Sequence, residues 1–366
     1  MRVVAVANQK GGCGKTTTSI NLAACLAYLG KRVLLVDLDP QGHSTCGLGV
    51  SAGPHRKTVY NLLYFPDGCM PAPEELLCPV NSHLSLIPSY ENLSFLDEIL
   101  AHRKDRETRL REALAGFRSR GYDWDYVVLD CPPNLGVLTY NALAAAQDVI
   151  IPVEPSFFSL HGLAKISETI QRTRETREVP LEVHALLTLF RSENSFFQEI
   201  YGEVKKHFRD RLFKTSIHED ILLREASSAG QSIVDYQPKS QAFRDYLNLA
   251  TEYLEREWQR LLPEKALGWD HVMSLRFGPR SLSGGVLFQL MSRSARSVEI
   301  AGDFNQWIPE SLVCREQEGL WQKVIPVTHG GFRYKFIVDG EWQVDPYQPV
   351  QLSNAFGGYD SYLEIA

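Results

Sequence analysis

The stretch Val3–Thr17 carries the residues best placed to do chemistry. It reads as a short apolar strand, then Gln9-Lys10-Gly11-Gly12-Cys13-Gly14-Lys15-Thr16-Thr17, then a helical run. A strand, a glycine-rich loop and a helix in that order wrap backbone N–H groups around phosphate oxygens. The glycines let the loop approach an anion closely and adopt conformations closed to residues with a Cβ. In that setting Lys15 reaches the β- and γ-phosphates of a nucleotide, and the Thr16 hydroxyl is placed to ligate Mg²⁺. The usual pattern has glycine where this chain has Gln9, and here a further lysine, Lys10, precedes the glycines.

Two more carboxylate clusters follow strand-like runs. Val33–Pro40 reads Val-Leu-Leu-Val-Asp-Leu-Asp-Pro, and Tyr126–Pro133 reads Tyr-Val-Val-Leu-Asp-Cys-Pro-Pro. Both put aspartates (Asp37, Asp39, Asp130) at the C-terminal ends of expected strands, where open α/β sheets bind ligands. Taken alone, Asp37 and Asp39 also suit a turn or a helix cap.

The elements that must position these residues alternate. Arg2–Ala7, Arg32–Val36, Tyr126–Leu129, Val149–Val153 and Val183–Leu189 are nearly continuous apolar runs, as in parallel strands buried on both faces. Helical periodicity covers Thr17–Leu29, Thr108–Phe117, Leu160–Thr173, Phe196–Phe208 and Gln241–Leu262. The expected fold class is therefore α/β, a doubly wound, mostly parallel sheet over residues 1–262. A Gly/Ser/Pro-rich stretch at 263–283 reads as a linker. Residues 284–366 switch to short alternating strands (Val286–Met291, Ser297–Ala301, Leu320–Val327, Gly331–Val338), with Asp339-Gly340 suited to a tight hairpin. They predict a small all-β, immunoglobulin-like sandwich.

Composition narrows the function classes. The 366 residues carry Lys+Arg 38 against Asp+Glu 44, a net charge of −6. From residue 281 onward there are six Lys/Arg and ten Asp/Glu, leaving 32 against 34 in the first 280, so neither part is a basic module. No apolar stretch reaches the roughly 18–20 residues of a membrane-spanning helix. The chain opens on a strand with no leader pattern. Its seven cysteines (13, 25, 46, 69, 78, 131, 314) are odd in number and lack metal-ligand spacing. Reduced thiols in a cytoplasmic protein are the expectation.

Lys-Gly-Gly-Cys-Gly-Lys-Thr-Thr at the end of an N-terminal strand resembles the deviant Walker A motif of the ParA/MinD family. Asp37-Leu38-Asp39-Pro40-Gln41-Gly42 resembles that family's switch I, and the segment ending in Asp130-Cys131-Pro132-Pro133 its Walker B/switch II. The resemblance runs over residues 1–262, including Tyr236-Gln237-Pro238-Lys239-Ser240. It implies an ATPase that clasps two ATP molecules between two subunits. By resemblance, residues 10–17 (Lys10, Gly11, Gly12, Cys13, Gly14, Lys15, Thr16, Thr17) bind the nucleotide. Lys10 reaches the partner's phosphates, Lys15 acts within its own subunit, and Asp39 orients the attacking water. Thr16, Asp39 and Asp130 form the Mg²⁺ site. Ile217-His218-Glu219-Asp220 falls where family members contact adenine through a proline-containing loop; His218 is read as a solvated loop histidine.

Relatives in this family coat DNA non-specifically, and Lys205, Lys206, His207, Arg209, Arg211 and Lys214 form a basic run. Glu203, Asp210 and Glu219 dilute it, and Glu193 and Leu222 stand where DNA-binding relatives carry arginine, with Arg191 and Arg224 nearby. MinD-like relatives reach membranes through a C-terminal amphipathic helix; here Leu247–Leu262 leads into another domain, so no membrane role is expected. An activating protein partner is a further possibility that the family admits.

Ser297–Trp307 (Ser-Val-Glu-Ile-Ala-Gly-Asp-Phe-Asn-Gln-Trp) and Arg333–Pro346 (Arg-Tyr-Lys-Phe-Ile-Val-Asp-Gly-Glu-Trp-Gln-Val-Asp-Pro) resemble the glycogen-binding module of AMP-activated protein kinase β subunits. The same module (carbohydrate-binding module family 48) precedes branching and debranching enzymes. The resemblance implies an α-glucan site with Trp307 and Trp342 as stacking platforms and Lys335 as a hydroxyl donor. Phe356 falls where the family has a leucine, Asp360 where it has asparagine, and Gly358 where it has a hydroxyl residue. Trp321 is expected in the core. The combined expectation is an ATP-dependent dimerising ATPase that binds glycogen-like glucan to position, partition or regulate a cargo. The alternatives are a regulatory scaffold whose sandwich binds a protein, and a DNA-partitioning ATPase on the nucleoid.

Overall fold

The computed structural model describes residues 1–53, 55–65, 70–155, 166–174, 177, 180–191, 195–261, 277–282, 284–292, 295–315, 319–327, 329–354 and 357–365. These fall into two units, Met1–Tyr253 and Leu254–Ala366.

The first unit is built on an eight-stranded sheet. In chain order its strands are β1 (Arg2–Val6), β2 (Val33–Asp37), β3 (Cys78–Pro79), β4 (Leu84–Ile87), β5 (Tyr126–Asp130), β6 (Asp148–Val153), β7 (Glu182–Phe190) and β8 (Leu212–His218). Their spatial order is β3-β4-β2-β5-β1-β6-β7-β8. Every pairing is parallel except the short β3–β4 edge. All residues of β2, β5 and β6 are buried, which is why these strands read as unbroken apolar runs: helices cover both faces. The crossovers return each strand in the same direction, so the C-terminal ends of β1, β2 and β5 share one edge. Register pairs Val6 with Asp130 and Asp37 with Asp130.

Helix α1 (Lys15–Tyr28) leaves the end of β1. A short α2 (His43–Gly47) follows β2 from an N-cap glycine, Gly42, at φ 63°. Of the expected helices, Leu160–Thr173 lies partly outside the described residues; residues 166–174 are helical. β4 and β8 have no counterpart in the expected strands. β8 takes in Ile217 and His218 of the segment expected to be a loop, and Asp220 caps the helix that follows.

The second unit is a sandwich. One sheet has the order β13-β14-β10-β9, with β9 (Arg280–Leu282), β10 (Gly285–Met291), β13 (Val313–Arg315) and β14 (Leu320–Ile325). The other runs β12-β11-β15-β18-β17, with β11 (Val298–Gly302), β12 (Glu310–Ser311), β15 (Gly330–Val338), β17 (Gln351–Ser353) and β18 (Tyr359–Ile365); β16 (Glu341–Gln343) hairpins onto β15. Phe288, Leu290, Ile300, Tyr334 and Phe336 are core residues, and Phe288 meets Tyr334 across the two sheets edge to face at 4.8 Å. Trp321 packs against this core, as expected.

The expected linker is shorter at its C-terminal side than 283. Arg280–Leu282 pair with Gly285–Leu287, and Phe277 is a core residue of the sandwich. β9 is only Arg280-Ser281-Leu282, too short for an alternation of polar and apolar residues to flag it. Residues 263–276 lie outside the described residues.

Candidate functional site: a phosphate loop and an aromatic platform

Gly14 is the N-cap of α1 at φ 84°, and it offers no side chain to cap the first turn, which also lacks an acidic residue. The first backbone N–H groups of α1 are therefore left for an anion. Gly12 has φ +74°, and a Cβ added at Gly11 or Gly12 would meet nothing within 4 Å, so these glycines border open space. The loop is tied down around that space. Asn8 donates through Nδ2 to the Pro152 carbonyl at 2.7 Å and accepts the Lys10 N–H at 3.1 Å. Thr188 on β7 donates to the Cys13 carbonyl at 2.9 Å. Burial pushes the Cys13 thiol up, and its Sγ–H donates to the Lys10 carbonyl at 3.2 Å, so Cys13 packs the loop.

The two lysines behave differently. Lys15, 7% exposed, folds its ammonium back onto the Lys10 carbonyl at 3.0 Å. The Lys10 ammonium pairs with Glu154, just past the end of β6.

The carboxylates converge as expected. Asp37 and Asp130, both fully buried, lie side by side on neighbouring strands. Asp37 Oδ2 accepts the Thr45 N–H at 2.8 Å and the Thr45 hydroxyl at 2.7 Å, and its Oδ1 accepts the Asp39 N–H at 3.1 Å. Asp130 accepts hydroxyls from Ser19 at 3.0 Å and Ser44 at 2.7 Å. Burial raises both carboxyls, Asp37 further through the charge of Asp130. Asp39, 7% exposed, accepts the Gln41 N–H at 2.9 Å and begins the turn into α2. A loop of bare N–H groups, two lysines, and hydroxyl and carboxylate oxygens around Asp130 make a donor set suited to a polyphosphate and a hard oxygen-liking cation.

His218 differs from expectation. It ends β8, its Nδ1 pairs with Asp245 at 2.9 Å, and its ring meets Phe190 edge to face. The ring is tethered at a strand end and not in a loop, though its side chain is still 40% exposed. Glu193 lies outside the described residues, whereas Leu222 opens the helix Ile221–Ser228 beside an exposed Ile221.

In the sandwich, β15 turns Tyr334 and Phe336 to the core face and Lys335 and Ile337 to the opposite face, where Ile337 is nevertheless covered. Trp342 is the cross-strand partner of Ile337 and remains 49% exposed. Its ring lies 6.3 Å from that of Trp307, centroid to centroid, at 32°. The two tryptophans thus converge on the outer face. Lys335 Nζ meets Asp360 Oδ1 at 3.4 Å, and Asn354 donates to the same oxygen at 2.8 Å. Asp360 is 5% exposed, so much of its acceptor capacity is spent inside the fold. Phe356 lies outside the described residues. Sequence reasoning missed Ser19, Ser44, Thr45, Glu154 and Thr188 around the loop and Asp303 beside Trp307. Of these Asp303 lies inside a motif and Ser19, Ser44 and Thr45 lie within three residues of one, whereas Glu154 and Thr188 adjoin none.

Comparison with known proteins agrees with this layout. Residues 1–183 match the family model described as an AAA domain. Over 252 residues the chain is 39% identical to the sporulation initiation inhibitor protein Soj of Bacillus subtilis, a match covering 69% of this chain and 97% of Soj. It is also 39% identical over 261 residues to the chromosome partitioning protein ParA of Caulobacter vibrioides, covering 71% and 96%. The chain belongs to the ParA/MinD family. Among solved structures, this ParA-family chain resembles cobyrinic acid a,c-diamide synthase from Mycobacterium smegmatis with bound ATP analog and magnesium (32% identity, TM-score 0.61, 72% of this chain and 97% of that one). It likewise resembles McdA of Cyanothece in an ATP complex (25% identity, TM-score 0.61, 70% and 96%). Residues 288–366 match the glycogen recognition site of AMP-activated protein kinase, so this ParA-family chain carries a C-terminal glycogen-binding module. Among the described residues no helix is long and apolar enough to cross a membrane.

Proposed function

We propose that this chain is a cytoplasmic, slow ATPase whose two copies clasp ATP, and whose sandwich holds an α-glucan such as glycogen, so that nucleotide state controls glucan retention. The observation that carries the reading is the joint presence, in one chain, of a two-lysine phosphate loop and a mutually oriented tryptophan pair, Trp342 exposed and Trp307 half-buried. The ATPase domain extends through residue 262, and the glucan module occupies the C-terminal part of the chain.

The residues fit Mg²⁺ and ATP. The open space over Gly11 and Gly12 would admit phosphates, and the uncapped first-turn N–H groups of α1 would donate to them. Thr16 and Asp130 would hold the cation, Asp130 through water, with Asp39 beside them. Bound there, the cation neutralises charge on the β- and γ-oxygens. The Lys15 ammonium would turn from the Lys10 carbonyl to donate to the phosphates of its own subunit. Lys10 exchanges Glu154 for the phosphates of the neighbouring subunit. Asp39, held by the turn into α2, orients the attacking water. Because Lys10 serves the neighbour, hydrolysis and dimerisation are coupled.

On the sandwich, Trp307 and Trp342 offer apolar faces to the C–H faces of sugar rings, and Lys335 donates to hydroxyls. Burying about 100 Å² of apolar surface per ring contributes on the order of 2–3 kcal/mol. One monomer presents one weak site; the ATP dimer presents two. Linked sites on one polymer gain roughly 10²–10⁴ in avidity where both can reach it. The likeness to Soj and ParA supports positioning or partitioning as the biological use, with glucan as the cargo. The test is calorimetric titration of the whole chain with maltoheptaose. Trp307→Ala and Trp342→Ala should each abolish measurable binding while ATP turnover persists. Binding that survives both substitutions, or loss of ATPase control in their place, would favour a protein-binding scaffold.

A further inference from the structure

The platform tryptophan Trp307 stands on an unusual turn. Gln306 and Trp307 have φ 57° and 60°, two consecutive left-handed residues that both carry a Cβ. Such conformations are disfavoured for L-residues and persist only where the surroundings over-determine them. The surroundings here are explicit. Asn305 accepts the Gly302 N–H at 2.8 Å and donates to the Ile300 carbonyl and to Glu310, both at 3.2 Å. The Trp307 N–H returns to the Gly302 carbonyl at 2.9 Å. Those bonds fix the backbone but leave the indole free to turn about χ1 and χ2. Asp303 fixes the indole: its Oδ1 accepts Trp307 Nε1–H at 2.9 Å and its Oδ2 accepts the Arg333 N–H of β15 at 2.7 Å.

We propose that Asp303 is a positioning residue for glucan binding. It touches no sugar; it locks the single indole donor and so presets the Trp307 plane against Trp342, using β15 as the anchor. An indole Nε1–H in a platform exposed to water would otherwise bond solvent equally well in several rotamers, and a ligand would bear the cost of selecting one. Removing that preorganisation should weaken binding by about 3- to 10-fold. The inference rests on the glucan reading.

The experiment is calorimetric titration of maltoheptaose into the full chain and its Asp303→Ala and Asp303→Asn variants, with acrylamide quenching of tryptophan emission read in parallel. Asp303→Ala should lower affinity by that factor and raise quenching, and the rise should vanish in a Trp307→Phe background. Asp303→Asn keeps one acceptor oxygen and should fall between wild type and Asp303→Ala, which also covers the case of a poorly folded alanine variant. Undiminished affinity in both variants beside normal wild-type binding overturns the inference alone. No binding by wild type removes the glucan reading and this inference with it.

Discussion

Replacing Glu154 with glutamine should tighten the ATP dimer. In the monomer the Lys10 ammonium pairs with Glu154, with the two side chains 25% and 33% exposed. If Lys10 must leave that pair to serve the neighbouring subunit, each dimer forfeits two such pairs. A partly exposed ion pair is worth about 0.5–1 kcal/mol. Two of them make about 1–2 kcal/mol, or roughly 5- to 30-fold in the dimer dissociation constant. Glutamine keeps the shape and a hydrogen-bond acceptor but removes the charge, so the loop itself should be undisturbed. Sedimentation velocity with Mg²⁺ and a slowly hydrolysed ATP analogue reads the constant directly, and the ADP form supplies the baseline. A dissociation constant that is unchanged or larger in Glu154→Gln would refute the idea that this pair restrains Lys10.

Two other perturbations follow from the same geometry. Ser44→Ala removes a 2.7 Å hydroxyl bond to the buried Asp130, and loss of such a supporting bond typically costs about 10- to 100-fold in metal affinity; Mg²⁺ titration of ATP-analogue binding should show the midpoint rising by at least about 10-fold, with metal-free nucleotide binding unaltered. In the sandwich, burial raises the Asp345 carboxyl to about 6 against an ordinary 3.8, despite bonds from Tyr334 at 2.6 Å and the Tyr347 N–H at 2.7 Å. A raised acid disfavours the folded state once ionised, so its contribution is intact below about pH 4, is lost as pH climbs through about 6, and amounts to about 2–3 kcal/mol. Denaturant unfolding at pH 4 and 7.5 should therefore show Asp345→Asn gaining on wild type by about that amount at the higher pH; a constant difference would assign the carboxyl an ordinary titration.

How much of this could be read in the sequence depends on whether the cause is local. The phosphate loop was legible because glycines at positive φ and the flanking lysines are consecutive in the chain, and one strand and one helix suffice to orient them. The parallel sheet was legible because strands covered on both faces have no polar side to interrupt them. Glu154, Thr188 and Ser19 were not, since each reaches the loop or Asp130 only when separate elements meet at the sheet edge. Asp303 was hidden in plain view inside a motif, because its role depends on the indole returning across a left-handed turn. His218 misled because the residues before it lack strong strand alternation, while pairing of β8 with β7 supplies the order. Asp360 was expected as an open sugar contact, and its pairing with Lys335 and Asn354 needed the β17–β18 hairpin to be seen.

Glycogen co-sedimentation of the full chain with Mg²⁺-ATP, with ADP and without nucleotide tests the whole account most directly. Retention should rise by at least about 10²-fold in apparent affinity with ATP alone, through two-site avidity, and Lys10→Ala should flatten that response to the ADP level. Equal retention of wild type in all three states would contradict it.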